Sequence, residues 1–365
     1  MDNLPILPVN DESVKFLLDY LQTPSPSGME LQGQMKWMDY IGPYVDQMTM
    51  DVYGSVVGVI NPDAPYKVVL EAHADEIGWN VNYISDEGFI SVNRNGGSDA
   101  MCAPSKVVNI HNIEGVLVPG VFGYTAIHMR NREEDKVPKV EELFIDVGAT
   151  SKDEVLGMGI DVGCKITYPD APFLMKSNKL VSRALDNRIG GFMIAQVARM
   201  IKEAELNLEI GVYFANAVQE EVGLRGAEML VNTIKPNVAI VTDVCHDTST
   251  PGIDKKKNGD TKIGAGPVIA YAPSIQNKLR ESIIKVADQN DIKIQKTSSS
   301  YSSGTDADAF AYGNGGTATA LIKIPIRYMH TTVETADVGD ISDAIMLMYK
   351  TITGMSPNDS FNYLK

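Results

Sequence analysis

The chain has 365 residues, of which 44% are hydrophobic and 22% are charged, a composition that allows a large buried core. Its net charge of −15 would repel a phosphate backbone, which argues against nucleic-acid binding. No apolar run approaches the ~18 residues of a membrane span, and the three cysteines form no CxxC pair, as is typical of reduced thiols. We therefore predict a cytoplasmic protein with no nucleic-acid or membrane partner.

Two helices and three strands are predicted in the first part of the chain. Apolar residues recur at helical spacing through residues 11–23, a Pro/Ser/Gly turn follows at 23–28, and a second helix is predicted at 30–44. Strands are predicted at 48–51, 55–60 and 67–72. The last of these is a continuous apolar run, which favours a strand covered on both faces.

The predicted secondary structure is different between residues 78 and 170, and helices alternate with strands again beyond that stretch. Within this stretch, short strand-like runs alternate with Gly, Pro and Asn turns, which indicates a β-rich unit without a long helix. Beyond it, helices are predicted at 190–204, 226–231, 276–289 and 338–353, with strands at 208–218, 238–243 and 317–322 between them. The sequence therefore predicts an α/β fold, a mixed sheet flanked by helices. The proposed domains are a catalytic domain made of residues 1–77 and 171–365, and a smaller all-β domain inserted at 78–170.

Five candidate metal ligands share one kind of location, at the end of an apolar strand or just before a helix. The carboxyl ends of strands are where open α/β sheets bind ligands. Each residue alone is more often a helix cap or a surface charge. Together, two histidines and three carboxylates form the ligand set of a zinc or cobalt site. The five are His73, Asp186, Glu221, Asp243 and His330.

The adjacent acids Glu220 and Glu221 suggest two separate roles, a metal ligand and a general base. One carboxylate can ligate a metal while its neighbour stays free as a general base, since a metal lowers the pKa of its bound water towards ~7. Asp75 follows His73 closely enough to accept a hydrogen bond from the second imidazole nitrogen, as expected for a metal-bound histidine. We expect Asp186 to bridge two metals, because its carboxylate carries two oxygens.

Seven short motifs span nearly the whole chain. They begin at Thr23, Ala72, Ala184, Gln219, Thr242, Gly304 and Ile324, and read TPSPSG, AHADEIG, ALDNR, QEEVG, TDV, GTDA and IPIRYMH. In this order they resemble the motifs of the co-catalytic metalloaminopeptidases of the glutamyl-aminopeptidase and tetrahedral aminopeptidase type. Seven motifs in the right order are far more specific than any one of them.

The resemblance implies a zinc-exopeptidase-like fold and removal of the N-terminal residue from peptides by a hydroxide that bridges two metal ions. The ions would be zinc or cobalt, with manganese as a third option. Glu220 would be the general base, and Asp75 the partner of His73. One metal would be held by His73, Asp186 and Asp243, and the other by Asp186, Glu221 and His330.

The resemblance further implies that the 78–170 unit is a dimerisation domain, and that dimers assemble into a hollow dodecamer that admits short peptides. Departures from the family pattern at Ala265, Ser303 and Thr332 concern the substrate pocket rather than the ligands. The preferred N-terminal side chain therefore stays open. Arg327 and Lys262 are candidate positive charges for an acidic side chain, and structural ion pairs are an equal alternative for both.

Three alternative functions remain at this point. The same ligands would suit a deacetylase or amidohydrolase acting on small N-blocked amides. Two carboxylates could also serve an endoglucanase-type glycoside hydrolase, although the two histidines would then be unexplained. A catalytically inactive assembly protein would lack a ligand or the base, and all of these are present in the sequence.

Overall fold

The computed structural model describes residues 8–130 and 136–364. The strands are β1 (Gln47–Met50), β2 (Val56–Ile60), β3 (Lys67–His73), β4 (Gly78–Ile84), β5 (Ile90–Asn95), β6 (Val107–His111), β7 (Leu117–Phe122), β8 (Phe144–Asp146), β9 (Lys165–Thr167), β10 (Phe173–Met175), β11 (Lys179–Ser182), β12 (Gly211–Ala217), β13 (Val238–His246), β14 (Val268–Tyr271), β15 (Gln295–Ser298), β16 (Ala318–Ile326) and β17 (Glu334–Asp337). The helices are α1 (Asp11–Gln22), α2 (Leu31–Ile41), α3 (Lys152–Gly157), α4 (Leu185–Glu203), α5 (Arg225–Ile234), α6 (Lys255–Asn258), α7 (Asn277–Gln289), α8 (Asp306–Tyr312) and α9 (Val338–Thr353).

An eight-stranded mixed sheet forms the centre of the molecule, in the order β1-β2-β12-β3-β13-β16-β14-β15. The four middle strands, β12, β3, β13 and β16, run parallel to one another. Apolar side chains of α1, α2, α4, α7 and α9 pack on one face, and those of α5 and α8 on the other. Strand β3 is buried on both faces, which explains its continuous apolar run. The predicted mixed α/β sheet flanked by helices is confirmed.

A second, smaller unit is a closed barrel of the strands β4-β5-β8-β7-β6-β9. Its interior is filled by a separate apolar cluster that includes Trp79, Phe122 and Ile145. Trp79 and Phe122 meet edge to face, with ring centroids 5.5 Å apart. A third sheet, β10-β11-β17, lies outside both of these. None of the helices in the described ranges has the length and apolar character needed to cross a bilayer.

Helix α4 begins at Leu185, before the predicted start at Gly190, although Asp186 and Asn187 within its first residues have non-helical backbone angles. The glycines suggested a helix boundary because glycine is a poor helix former. They lie inside α4 because the helix packs tightly: a Cβ on Gly191 would lie 2.9 Å from Oδ1 of Asn216, on β12. Strand β13 also runs on to His246, so Asp243 lies within the strand and not at its end. Pairing with β16 continues that far, to His246 opposite Ile326.

Candidate active site

The candidate residues meet at one edge of the large sheet. Because the four middle strands are parallel, their carboxyl ends share this edge. His73 is the last residue of β3, Glu220 and Glu221 follow β12, and His330 lies in the loop after β16. Asp186 reaches the same edge from the first turn of α4.

Asp186 lies between the two candidate histidines. Its Oδ1 is 3.2 Å from Nε2 of His73, and its Oδ2 is 3.3 Å from Nε2 of His330. Nε2 of His330 is also 3.3 Å from Oε1 of Glu221. One carboxylate therefore faces two imidazoles through its two separate oxygens, as a bridging ligand would.

Two groups of three side chains could each hold a cation, and they share Asp186. Within each group the potential ligand atoms lie within 4.8 Å of one another. The groups are His73, Asp186 and Asp243, and Asp186, Glu221 and His330. Imidazole nitrogens and carboxylate oxygens are the donors that zinc and cobalt accept, so the chemistry of the set fits two such ions.

A third close group consists of His73, Glu220 and Glu221. A cation held there would not contact the buried carboxylates of Asp186 and Asp243, which belong to the other two groups. It would also occupy both glutamates. The two groups that share Asp186 leave Glu220 unused, with its side chain 12% exposed beside the cluster.

The electrostatics of the cluster show how strongly these side chains influence one another. Burial opposes charge on Asp186, but hydrogen bonds from His330 and His73 hold its pKa well below the usual range. Burial opposes charge on the imidazole of His330 too, yet Asp186 and Glu221 raise its pKa to about 11. Burial and the carboxylate of Asp186 raise the pKa of Asp243 to about 7. Without a cation, the cluster therefore keeps protons that a metal would replace.

Asp75 connects three parts of the site. Nδ1 of His73 lies 3.2 Å from the backbone carbonyl oxygen of Asp75 and 3.3 Å from its Oδ1, so the imidazole turns its Nε2 towards Asp186. The same carboxylate accepts hydrogen bonds from the backbone N–H groups of Glu220 (3.0 Å) and Glu221 (3.2 Å). The Ser27 hydroxyl donates to it at 2.6 Å. Although burial would raise the pKa of Asp75, the contact with His73 and these hydrogen bonds lower it, so the carboxylate stays charged.

The turn that contains Ser27 is held against the site by buried ion pairs. Glu76 accepts a hydrogen bond from the Ser25 N–H at 2.7 Å and pairs with Arg183. Arg188, in α4, is fully buried and donates to the carbonyl of Thr23 at 2.7 Å. These contacts hold the residues of the 23–28 motif against the motif that contains His73.

Glu334 is a site residue that the sequence analysis missed. It is 2% exposed, its Oε1 accepts from the N–H of His330 at 2.7 Å, and its Oε2 accepts from the N–H of Asp186 at 3.1 Å. One carboxylate therefore fixes the backbone of two candidate ligands. The acid four residues after the candidate histidine was the signal that could have identified it.

The barrel also contributes to the site, through the loop Gly96-Gly97 that follows β5. A Cβ on Gly97 would lie 2.6 Å from Cε1 of His330. A Cβ on Gly96 would lie 3.1 Å from Cβ of Glu221. Only glycine allows the backbone to pass this close to two candidate ligands.

Two further acids, Glu71 and Asp306, lie buried beneath the cluster, and neither carboxyl group has a hydrogen-bond partner outside the pair. Burial raises the pKa of Glu71 to about 8. Burial and the proximity of Glu71 raise the pKa of Asp306 well above its usual value. Burial therefore favours the neutral form of both carboxyl groups, which limits the negative charge near the site.

The geometry agrees with comparisons to known proteins. The model of the M42 glutamyl aminopeptidase family matches residues 54–347. The chain belongs to this family. It is 31% identical to a lysyl aminopeptidase of Pyrococcus furiosus over 342 residues, 93% of this chain and 96% of that protein. It is accordingly an aminopeptidase, a peptide hydrolase.

Solved structures of tetrahedral (TET) aminopeptidases have the same fold. The TET aminopeptidase of a marine sediment archaeon, Thaumarchaeota archaeon SCGC AB-539-E09, superimposes with a TM-score of 0.90 at 30% identity, covering 95% of this chain and 97% of that one. The TET1 peptidase of Pyrococcus horikoshii, which can assemble into a tetrahedron or a large octahedral shell, superimposes with a TM-score of 0.83 at 27% identity, covering 94% and 100%.

In this M42 aminopeptidase, a cavity of about 700 Å³ opens beside the cluster. Asp186, Glu220, Glu221, Asp243 and His330 all line it. The cavity therefore gives a substrate access to every candidate residue except the fully covered His73 and Asp75, whose positions behind the others suit a ligand and its partner.

Proposed function

We propose that this aminopeptidase uses two divalent metal ions and that Glu220 is its general base. His73, Asp186 and Asp243 would hold one ion, and Asp186, Glu221 and His330 the other. The observation that carries the proposal is Asp186, whose two oxygens face the two histidines separately. Zinc and cobalt fit the donors best, and manganese also accepts them.

When bound, the metal ions supply a water of lowered pKa and polarise the scissile carbonyl. The chain supplies the proton acceptor. Glu220 is left out of both ligand groups, lines the cavity, and has its backbone fixed by Asp75. Without metal ions, burial and the nearby acids Asp243, Asp306 and Glu221 raise its pKa, and bound cations would oppose that rise and favour the carboxylate that a base requires. It would take a proton from the attacking water and deliver it to the leaving amine nitrogen.

The site offers two ways to hold the free α-amine of a substrate. A metal ion could bind the amine nitrogen, or a carboxylate in the cavity could pair with the ammonium form. An internal peptide bond has no free amine for either contact. The proposal is therefore cleavage of the N-terminal residue, with Asp75 acting through His73 and Glu220 as a positioning residue.

The decisive experiment is amino-acid release from matched free and N-acetylated peptides, after EDTA treatment and after zinc, cobalt or manganese is restored. The proposal expects cleavage of free peptides alone, lost with EDTA and recovered with metal. Preferential cleavage of acetylated peptides would instead support the deacetylase alternative. Release of sugar from cello-oligosaccharides included in the same series would support the endoglucanase alternative. Cleavage that survives complete metal removal would overturn the two-metal mechanism.

We also propose that the unit at 78–170 is an inserted dimerisation domain and that the dimers form a dodecamer. Apolar side chains are exposed on its β6–β7 hairpin: Ile113 is 74% exposed, Val116 55%, Leu117 44% and Val121 45%. Such a patch favours a protein interface. Light scattering should report twelve copies for the native chain, and smaller species for Leu117→Lys. The reduced cysteines support a cytoplasmic location for this assembly.

A further inference from the structure

The loop at 327–333, which carries His330, has a backbone conformation that its own residues do not favour. It connects β16 to β17. Tyr328 and His330 have φ angles of 58° and 62°, in the left-handed region that residues other than glycine rarely adopt. Such a conformation persists where surrounding contacts hold it. The second ligand group (Asp186, Glu221 and His330) therefore depends on the contacts that fix this loop.

The two ends of the loop are fixed from the side of the large sheet. Arg327 and Thr335 exchange backbone hydrogen bonds of 2.9 and 3.1 Å, and the guanidinium group of Arg327 pairs with Asp247. Glu334 accepts a hydrogen bond from the N–H of His330 at 2.7 Å. The part of the loop between these contacts is also bonded to the barrel.

Lys106 links the barrel to this loop. Its ammonium group donates a hydrogen bond to Oγ1 of Thr332 at 2.7 Å. Thr332 lies two residues after His330 and is 4% exposed, so the acceptor hydroxyl is largely shielded from water. The backbone of Lys106 is fixed just before β6, since its N–H donates to the carbonyl of Ala103 at 3.1 Å and its carbonyl accepts from the N–H of Phe122 at 2.9 Å. The hydrogen bond therefore joins a fixed part of the barrel to the loop that carries a candidate ligand.

Thr332 lies outside the lining of the substrate cavity. The departure from the family pattern at this position indicated a role in the substrate pocket. The structure gives the departure a different meaning, because a side chain without an oxygen at this position could not accept the hydrogen bond from Lys106. The contact is therefore a property of this chain and does not follow from membership of the family.

We propose that Lys106 is a positioning residue, which acts through Thr332 to hold His330 where the second ligand group binds its metal ion. The inference rests on the proposed two-metal function. A charged donor makes a stronger hydrogen bond than a neutral one, and contacts that orient a metal-bound histidine set the affinity of its site. Gly97 limits how far the ring can move towards the barrel, and Lys106 keeps the loop from moving away from it. The first ligand group (His73, Asp186 and Asp243) contains no residue of this loop and should respond little.

The test measures the affinities of both metal sites, by competition with a chelator, in the native enzyme, in Lys106→Met and in Thr332→Val, which has the shape of threonine without the hydroxyl. Each variant should weaken one site by about 10- to 100-fold and leave the other within about twofold. The double variant should be no weaker than either single variant, because both changes remove the same hydrogen bond. Lys106→Arg keeps a donor and should retain most of the affinity. Lys152→Met, which removes an exposed lysine from the same 78–170 unit, is the matched control and should change neither site.

The outcomes separate this inference from the proposal beneath it. If the native enzyme binds fewer than two metal ions, the two-metal function fails and the inference fails with it. If it binds two ions and Lys106→Met keeps both affinities within about twofold, the inference alone is overturned. An equal loss at both sites, additive losses in the double variant, or a loss in Lys106→Arg as large as that in Lys106→Met would also overturn it.

The visible absorption spectrum of the cobalt-loaded enzyme gives an independent reading of the ligand geometry. A displaced histidine ligand should change the spectrum of Lys106→Met and of Thr332→Val, whereas the spectrum of Lys152→Met should match that of the native enzyme. Thermal unfolding of each variant identifies any that has lost its fold. Native spectra from folded Lys106→Met and Thr332→Val would contradict the proposed role of Lys106.

Discussion

Gly97→Ala should inactivate the enzyme through His330, although the substitution adds a single methyl group to the barrel. The new Cβ would lie 2.6 Å from Cε1 of the imidazole, whereas ordinary van der Waals contact begins at 3.4 Å. Nδ1 of the same ring would be closer still, so the ring must shift by about 1 Å, and displacements of this order at a catalytic site lower rates by about 100-fold. We expect a similar fall in kcat, and a weakening by about 10- to 100-fold of the affinity for one of the two proposed metal ions.

Gly157→Ala is the matched control for this prediction. Gly157 also belongs to the 78–170 unit, neither glycine has a positive φ, and a Cβ at Gly157 meets nothing within 4 Å. Metal content by mass spectrometry, turnover of a free peptide and thermal unfolding should be measured for both variants. If Gly97→Ala retained two metals and kcat within twofold of the native value, the barrel loop would not set the position of His330.

Three further predictions concern the cluster itself. Glu220→Gln should keep both metals and lose about 100- to 10,000-fold in kcat, because the base is lost and the ligands remain; loss of metal in this variant would make Glu220 a ligand instead. Glu334→Gln should weaken metal affinity by about 10- to 100-fold, since an amide cannot accept from both the His330 and Asp186 N–H groups; unchanged metal dissociation would contradict this. Metal uptake should release protons, and the affinity for metal should fall as pH drops, because His330 has a raised pKa without metal and binds metal only as neutral imidazole. Proton release can be measured by titration with metal in weak buffers. A metal affinity that does not depend on pH would refute the prediction.

Strong local patterns made much of the fold predictable. The long apolar run of β3 and the helical spacing of α9 were both identified, and α9 spans the predicted residues 338–353. The four-residue strands β14, β15 and β17 and the seven-residue helix α8 were missed. Elements of this length are too short to show a period in the sequence. The positions of the three strands are set by pairing with strands that are distant in sequence.

The candidate ligands could be identified because each is a chemically distinctive residue at a strand end or helix start. The residues that support them could not be identified in the same way. Gly97 matters because a barrel loop passes His330, and Gly96 matters because the same loop passes Glu221. Both relationships arise from tertiary structure. Arg327 shows the converse: it was a candidate substrate-binding charge, and the fold pairs it with Asp247.

The position of β16 in the sheet has a consequence for synthesis of the chain on the ribosome. This strand lies beside β13, but it is translated after β14 and β15, and it leads into the loop that carries His330. At ~5–20 residues per second, the interval between emergence of His73 and His330 is about tens of seconds. On the proposed assignment, the first ligand group can form during that time and the second cannot. If both metal groups are required, the nascent chain cannot cleave the N-termini of neighbouring chains until His330 has emerged and folded into place.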